Sequence, residues 1–161
     1  MTFNSFAFRR AMSNFATGVA VVTTSDPSGA NQGITVNSFS SVSLDPPLIL
    51  FCLDKAAMSF DCFQQADGFA VNVLTKQQHA LSVRFARAST DKWDGVAFDL
   101  LPGGLPILRG CLVSLVCRRE ALYDGGDHAI VIGRVEELHG DREEEPLVYF
   151  RSSYRTIGPD L

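Results

Sequence analysis

The chain has 161 residues, 46% of them hydrophobic and 20% charged, with a formal net charge of −4. Such a chain is not disordered, and its length suits one domain, residues 1–161, that buries a core without disulfide or metal staples. The basic pairs Arg9–Arg10 and Arg118–Arg119 are too short for a nucleic-acid stripe, and no apolar run approaches the ~18 residues of a membrane span.

The first helix is expected after Asn4 or Ser5, with Phe8, Met12 and Phe15 near helical spacing and Gly18 as its end. No uninterrupted apolar segment follows Arg9 and Arg10, so no secretory leader is expected. "VAVVTT" (19–24) is a β-branched run and reads as a strand. "SDPSGAN" (25–31) is turn chemistry, and 33–43 reads as the returning strand of a hairpin. Pro46 and Pro47 are expected to break the pairing before "LILFCL" (48–53), a central strand apolar on both faces.

A short helix over 58–66 turns Phe60 and Phe63 inward, and "FAVNVL" (69–74) is the next strand. Thr75 is a cap for a helix over 76–86, with Leu81 and Phe85 four apart. The polar stretch 88–95 reads as a mobile loop. Residues 110–123 and 128–139 are long strands joined by "DGGD", and "PLVYF" (146–150) is the last strand. The pattern is mainly β with short flanking helices, and its regularly spaced hairpins suggest a closed or nearly closed barrel. No GxGxxG follows a strand, which argues against a Rossmann sheet. Cys52, Cys62, Cys111 and Cys117 are scattered without a CxxC pair and read as reduced thiols of a soluble, cytoplasmic protein.

Four stretches carry candidate chemistry. In 33–43, Thr35, Asn37, Ser38, Ser40, Ser41 and Ser43 interrupt an apolar strand. An unpartnered buried hydroxyl or amide costs roughly 1–3 kcal/mol. These groups therefore meet either a flat ligand with a donor–acceptor edge, such as a flavin ring, or water along an edge strand. "DKAAMSFD" (54–61) opens a helix after a strand; it is either a phosphate site, with Lys55 and Ser59 contributing, or an ordinary helix start. His128 follows a Gly-rich turn and is either a polarising group or an exposed turn residue. "YFRSSYR" (149–155) gathers Tyr149, Arg151, Tyr154 and Arg155, as an anion-and-ring clamp or as a solvated tail. The three histidines are well separated, so no metal site is expected. No GxSxG is present.

"FRRAMSNFATGVAVVTT", "GITVNSFSSVSLDPPLILFCL", "GDHAIVIGRV" and "PLVYFRSSYR", in this order over nearly the whole chain, resemble the short-chain flavin reductases, the reductase components of two-component flavin-dependent monooxygenases. The resemblance implies a split β-barrel, a homodimer, FMN or FAD as the flavin, NADH or NADPH as the reductant, and a separate oxygenase that receives reduced flavin. By position, Thr35, Val36, Asn37 and Ser38 would line the ring edge. Leu53, Asp54, Lys55, Ser59 and Phe60 would sit at the ribityl and phosphate end, and Phe85 and Arg87 would close the pocket. His128, the catalytic candidate, would lie by the nicotinamide, and Tyr154 and Arg155 would help hold NAD(P)H. Ala56, Ala57 and Met58 depart from the hydroxyl-rich phosphate stretch of that family, and Ser152 and Ser153 stand where it often has glycine. The 12 Phe exceed what one small core easily uses, which suits a dimer interface or ligand pocket. A non-catalytic flavin carrier and a barrel of the pyridoxine-phosphate oxidase type are the competing readings.

Overall fold

The computed structural model describes residues 4–159. Helix α1 spans Ser5–Met12 and is capped by Asn4, whose Oδ1 accepts from the Ala7 amide at 2.8 Å. None of its side chains is buried. Strand β1 (Thr17–Gly18) leads into β2 (Ala20–Ser25), where β-branched Val21, Val22, Thr23 and Thr24 favour extended backbone. Asp26 then turns the chain: its carboxylate accepts from the amides of Ser28 and Ala30 at 2.9 Å, and Gly29 takes φ 85°. Strand β3 (Asn31–Val36) returns along β2.

The strand expected over 33–43 is two strands. Asn37–Phe39 leave the ladder, and β4 (Ser40–Leu44) pairs with β5 (Pro47–Asp54). The prolines therefore do not interrupt pairing: Leu44 pairs with Pro47, and Pro47 stands first in its strand, where a missing N–H is tolerated. Ser40 and Ser41 are exposed on β4, an edge strand, so for them the water-facing alternative holds. β5 has neighbours on both sides and buries Ile49, Phe51 and Leu53.

Helix α2 (Phe60–Gln65) turns Phe63 into the core, and β6 (Gly68–Val73) follows. The Thr75 amide donates to Gln78 Oε1 at 3.0 Å, opening a 3₁₀ turn over Lys76–Gln78 that continues as α3 (His79–Ala86). Residues 88–95 are anchored rather than free: Trp93 packs edge-on against both Phe85 and Phe98, each at 5.1 Å. Strands β7 (Phe98–Leu100) and β8 (Pro106–Leu108) form a small hairpin. The long hairpin is β9 (Val113–Gly125) with β10 (His128–His139), and β11 (Val148–Phe150) and β12 (Ser153–Arg155) end the fold.

Seven strands form one sheet in the order β3-β2-β6-β9-β10-β5-β4. Its two edges, β3 and β4, are consecutive in the chain and joined by three residues, so the sheet curls until its ends meet at Asn37–Phe39. No ladder joins these edges among the described residues. Val21 and Val22 point to opposite faces and enter different cores. The inner core centres on Phe51, with Phe69 at 5.2 Å and Phe63 at 6.3 Å, both edge-on. The outer core holds Val21, Leu74, Phe85, Leu108 and Leu147 under α3. Gly133 is required where Phe69 crosses β10, since a Cβ there would stand 2.5 Å from the ring. All four cysteines are free; burial pushes the Cys111 thiol up to about 11 and Cys117 to about 12, while Cys52 and Cys62 are half-buried.

Between the two cores lies the fully buried Asn72. Its Nδ2 donates to the Val21 carbonyl at 2.9 Å and to Thr23 Oγ1 at 3.0 Å. Its Oδ1 accepts from the Leu108 amide at 2.9 Å and from Ser114 Oγ at 2.8 Å. Replacing it with Leu strips the buried Leu108 amide of its acceptor and takes a partner from three further groups, the Val21 carbonyl and the Thr23 and Ser114 hydroxyls. Asn72→Leu is expected to lower stability by about 2–4 kcal/mol in denaturant unfolding, although the substitution is apolar and similar in size.

Candidate active site

Where the two ends of the large sheet meet, a second, smaller sheet faces them. β11 pairs with β1 on one side and with β12 on the other. Between this small sheet, the end of α1 and the Asn37–Ser40 connection lies a groove of about 740 Å³. That volume is in the range of small-molecule sites. Asn37, Ser38, Phe39 and Ser40 line one side; Phe15, Thr17, Gly18, Tyr149 and Ser152 line the other, with Arg9 above.

The polar groups here are unequal. Ser38 Oγ accepts from the Cys52 amide at 2.9 Å and donates to the Cys52 carbonyl at 3.2 Å. With Ser40 paired to Leu50, Ser38 stands two residues further along, opposite Cys52, and its side chain continues a ladder that the backbone has left. Asn37 is exposed, and its amide has no hydrogen bond among the described residues. Thr17 Oγ1 is the one buried side-chain polar atom among the described residues without a partner. A flat ligand with donors and acceptors along one edge fits a groove whose lining includes a free amide.

A second group of expected residues lies at the neighbouring strand ends. His128 on β10 pairs with Asp54 on β5, and the Lys55 amide donates to the Asp127 carbonyl at 3.1 Å. Asp54 Oδ1 accepts from the Ala56 amide at 2.8 Å and so shapes the start of the 54–61 segment. The Lys55 ammonium is engaged with the Asp124 carboxylate and donates to the Gly126 carbonyl at 2.6 Å. That engagement holds the Asp124 carboxyl below the usual carboxylate range. His128 Nδ1 meets Asp127 Oδ1 at 2.8 Å, which leaves Nε2 to face a ligand. The bond to His128 lowers the Asp127 carboxyl, and the Arg9 charge on α1 adds to this, so α1 lies within electrostatic reach of the His128 end.

The third group packs around α3. Thr35 Oγ1 donates to the Ser82 carbonyl at 2.7 Å and pins β3 to this helix. Tyr154 shares a 2.8 Å hydrogen bond with Ser82 Oγ and packs edge-on against His79 at 4.4 Å and Tyr149 at 5.3 Å. Tyr154 thus reaches the groove through Tyr149. Arg155 is exposed at the end of β12, and Arg87 caps the end of α3, where it borders a small polar hollow with Arg84 and Lys92.

Four candidates are core residues in this structure. Val36 is buried, and Leu53 and Phe85 are fully enclosed. Phe85 therefore presents no surface with which to close a pocket; its ring lies against Gly33 and Trp93. Phe60 is half-buried on the inner core. Ser59 is buried at the start of α2 without a side-chain capping bond. Phe15, Thr17 and Arg9 are groove residues that residue-by-residue reading passes over. Their sequence signal is an aromatic and a hydroxyl placed after an exposed helix, just before the first strand.

The Flavin reductase like domain model matches residues 12–158. The chain belongs to this family. It is 40% identical to the reductase subunit HsaB of a flavin-dependent monooxygenase from Rhodococcus jostii, over 95% of this chain and 78% of that protein. It is 42% identical to the FMN reductase (NADH) SmoA of Agrobacterium fabrum, over 91% and 82%. An NADH:FAD oxidoreductase of Streptomyces globisporus, determined with NAD and FAD fragments, superposes with a TM-score of 0.91 at 35% identity and covers 98% of this chain and 94% of that one.

In this flavin reductase-like domain Ser38 has a structural duty that is separable from binding. Ser38→Ala is expected to cost about 1–2 kcal/mol of stability without ligand, read from the thermal midpoint, because the Cys52 amide loses its acceptor.

Proposed function

We propose that the chain is an NAD(P)H:flavin oxidoreductase that reduces FMN or FAD and supplies the reduced flavin to a separate monooxygenase. The observation that carries this reading is the 740 Å³ groove lined by the exposed, unpartnered Asn37 amide and by Thr17, whose hydroxyl is buried without a partner. The names of its relatives support it, as an FMN reductase (NADH) and a monooxygenase reductase subunit. One domain over 1–161 with a split barrel accords with a sheet whose ends meet at Asn37–Phe39. Among the described residues no helix is long and apolar enough to cross a membrane. Free thiols favour a cytoplasmic setting.

Flavin bound in the groove supplies the hydride acceptor, and the chain supplies position. Asn37 and Thr17 meet the polar ring edge, while Phe15, Phe39 and Tyr149 exclude water from its faces. Asp54, Lys55 and Ser59 serve the ribityl and phosphate end. Lys55 does so only in exchange for its bond to Asp124. His128, oriented through Nδ1 by Asp127, offers Nε2 to the nicotinamide carboxamide, with Tyr154 and Arg155 flanking. No side chain needs to act as nucleophile or general base.

Steady-state oxidation of NADH and NADPH with riboflavin, FMN and FAD tests this: turnover with at least one pair is expected, and none with any pair overturns the reading. His128→Ala is expected to raise the KM for NAD(P)H about tenfold, the worth of one lost polar contact. Unchanged KM and turnover would remove His128 from the site.

A homodimer completes the proposal. Leu44 is 95% exposed beside half-exposed Val42 on edge strand β4, and Met12 on α1 is half-exposed. Burying these together is the natural cover for both. Light scattering at micromolar concentration should give twice the chain mass, and Leu44→Lys should shift it towards monomer.

A further inference from the structure

Strand β5 carries the chain from Cys52, which Ser38 holds at the groove, to Asp54 and then Lys55. That is three residues, or about 10 Å of extended backbone. A ribityl chain ending in phosphate spans a comparable length, so from a ring in the groove its anion reaches the turn between β9 and β10. This turn is acidic. Lys55 supplies a cation, and the Arg9 charge acts on Asp127 from α1. Against them stand three carboxylates. Asp54 precedes Lys55 in the chain, Asp127 accepts from the Lys55 amide through its carbonyl at 3.1 Å, and Asp124 engages the Lys55 ammonium itself.

The three acids differ in what they do. Asp54 Oδ1 accepts from the Ala56 amide at 2.8 Å, and Asp127 Oδ1 meets His128 Nδ1 at 2.8 Å. Asp124 takes the lysine, and that contact holds its carboxyl below the usual carboxylate range, so it stays charged at neutral pH. The Asp124 side chain is 81% exposed and that of Lys55 38%, so a phosphate can approach both. An exposed ion pair of this kind is weak and can be exchanged. Ala56, Ala57 and Met58, which follow, bring no hydroxyl to take over the lysine's part. The turn does not depend on the pair: the Lys55 amide bond to Asp127, the pairing of His128 with Asp54 and Gly126 at φ 82° hold it without the Asp124 carboxylate.

We propose that Asp124 is a specificity-determining residue: it competes with the flavin phosphate for Lys55 and keeps the preference for FMN over riboflavin small. The inference rests on the flavin reductase reading. Asp124 lies outside the lining of the groove and acts through Lys55, so its effect falls on the phosphate and spares the ring. Riboflavin, which has the ring and the ribityl chain without the phosphate, is the natural control.

Fluorescence titration with riboflavin and with FMN reads the ratio of the two dissociation constants. Wild type is expected to hold FMN no more than about tenfold tighter, the low end of what a free charge-assisted contact confers. Asp124→Asn should raise that ratio about fivefold through FMN alone, the upper range for an exposed pair. Asp124→Glu, which keeps the carboxylate, should stay near wild type. In a Lys55→Gln chain the Asp124→Asn step should leave the ratio unchanged, which separates competition for the lysine from plain repulsion of the phosphate. Both side chains reach solvent, so a thermal midpoint near wild type confirms that the variants are folded. In turnover with NADH, Asp124→Asn should lower the KM for FMN by the same factor and leave that for riboflavin alone. A wild-type ratio far above tenfold, a ratio that Asp124→Asn does not move, or a rise that persists without Lys55 overturns the competition while flavin binding stands. A chain that binds neither flavin loses the reductase reading, and this inference with it.

Discussion

The fold turns on one buried amide. Asn72 sits where four strands converge, and its side chain is satisfied by a carbonyl and a hydroxyl of β2, an amide of β8 and a hydroxyl of β9. Both donors and the acceptor oxygen are in use, so the group gains the strength of a fully connected network without the penalty of an orphan. This connection is specific in a way that the surrounding valines are not. Apolar contacts on either side of β2 would tolerate slippage; four hydrogen bonds to one amide do not. The β7–β8 hairpin is held to the sheet here, by the Thr23 hydroxyl on the Pro106 carbonyl and by Leu108 in the outer core.

From that fixed point the sheet curls outward in both directions until its edges meet. There the backbone ladder stops, and a hydroxyl takes over: Ser38 meets both backbone groups of Cys52. A continuous strand from β3 into β4 would have filled this region with main chain. The break leaves Asn37 unpaired and opens the space into which the small β1-β11-β12 sheet and α1 bring their side chains. The candidate groove is therefore a consequence of an incomplete closure, with the large sheet on one side and the small sheet and the end of α1 on the other.

Much of this was legible in the residues. The Asn4 cap, the β-branched run of β2, the Asp26 turn and the "DGGD" hairpin are local signals, and each formed close to its expected place. The polar run around Asn37 was readable as a candidate, because serines and an asparagine in an apolar strand demand partners, and it lines the groove. What was not legible is which partner each received. Alternation from Ile34 to Val42 is equally consistent with one strand or two, and the hairpin that β4 makes with β5 across Asp45 and Pro46 decided it. Helical spacing placed Leu81 and Phe85 on one face of α3 but not whether that face met ligand or core; Gly33 and Trp93 made it core. Lys55 was readable as a phosphate ligand by type, while its engagement with Asp124 depends on a hairpin seventy residues downstream. The three-residue strands β7, β8 and β12 are too short to leave a periodic signature.

Helix α1 has no buried side chain, and its described fastening to the rest is a short C-terminal run and the turn at Arg151. Substitutions along it scarcely touch either core. It is thus released from the packing constraint that governs the strands of the large sheet. Exchanges at its exposed positions would reshape the surface beside the groove while leaving both cores intact.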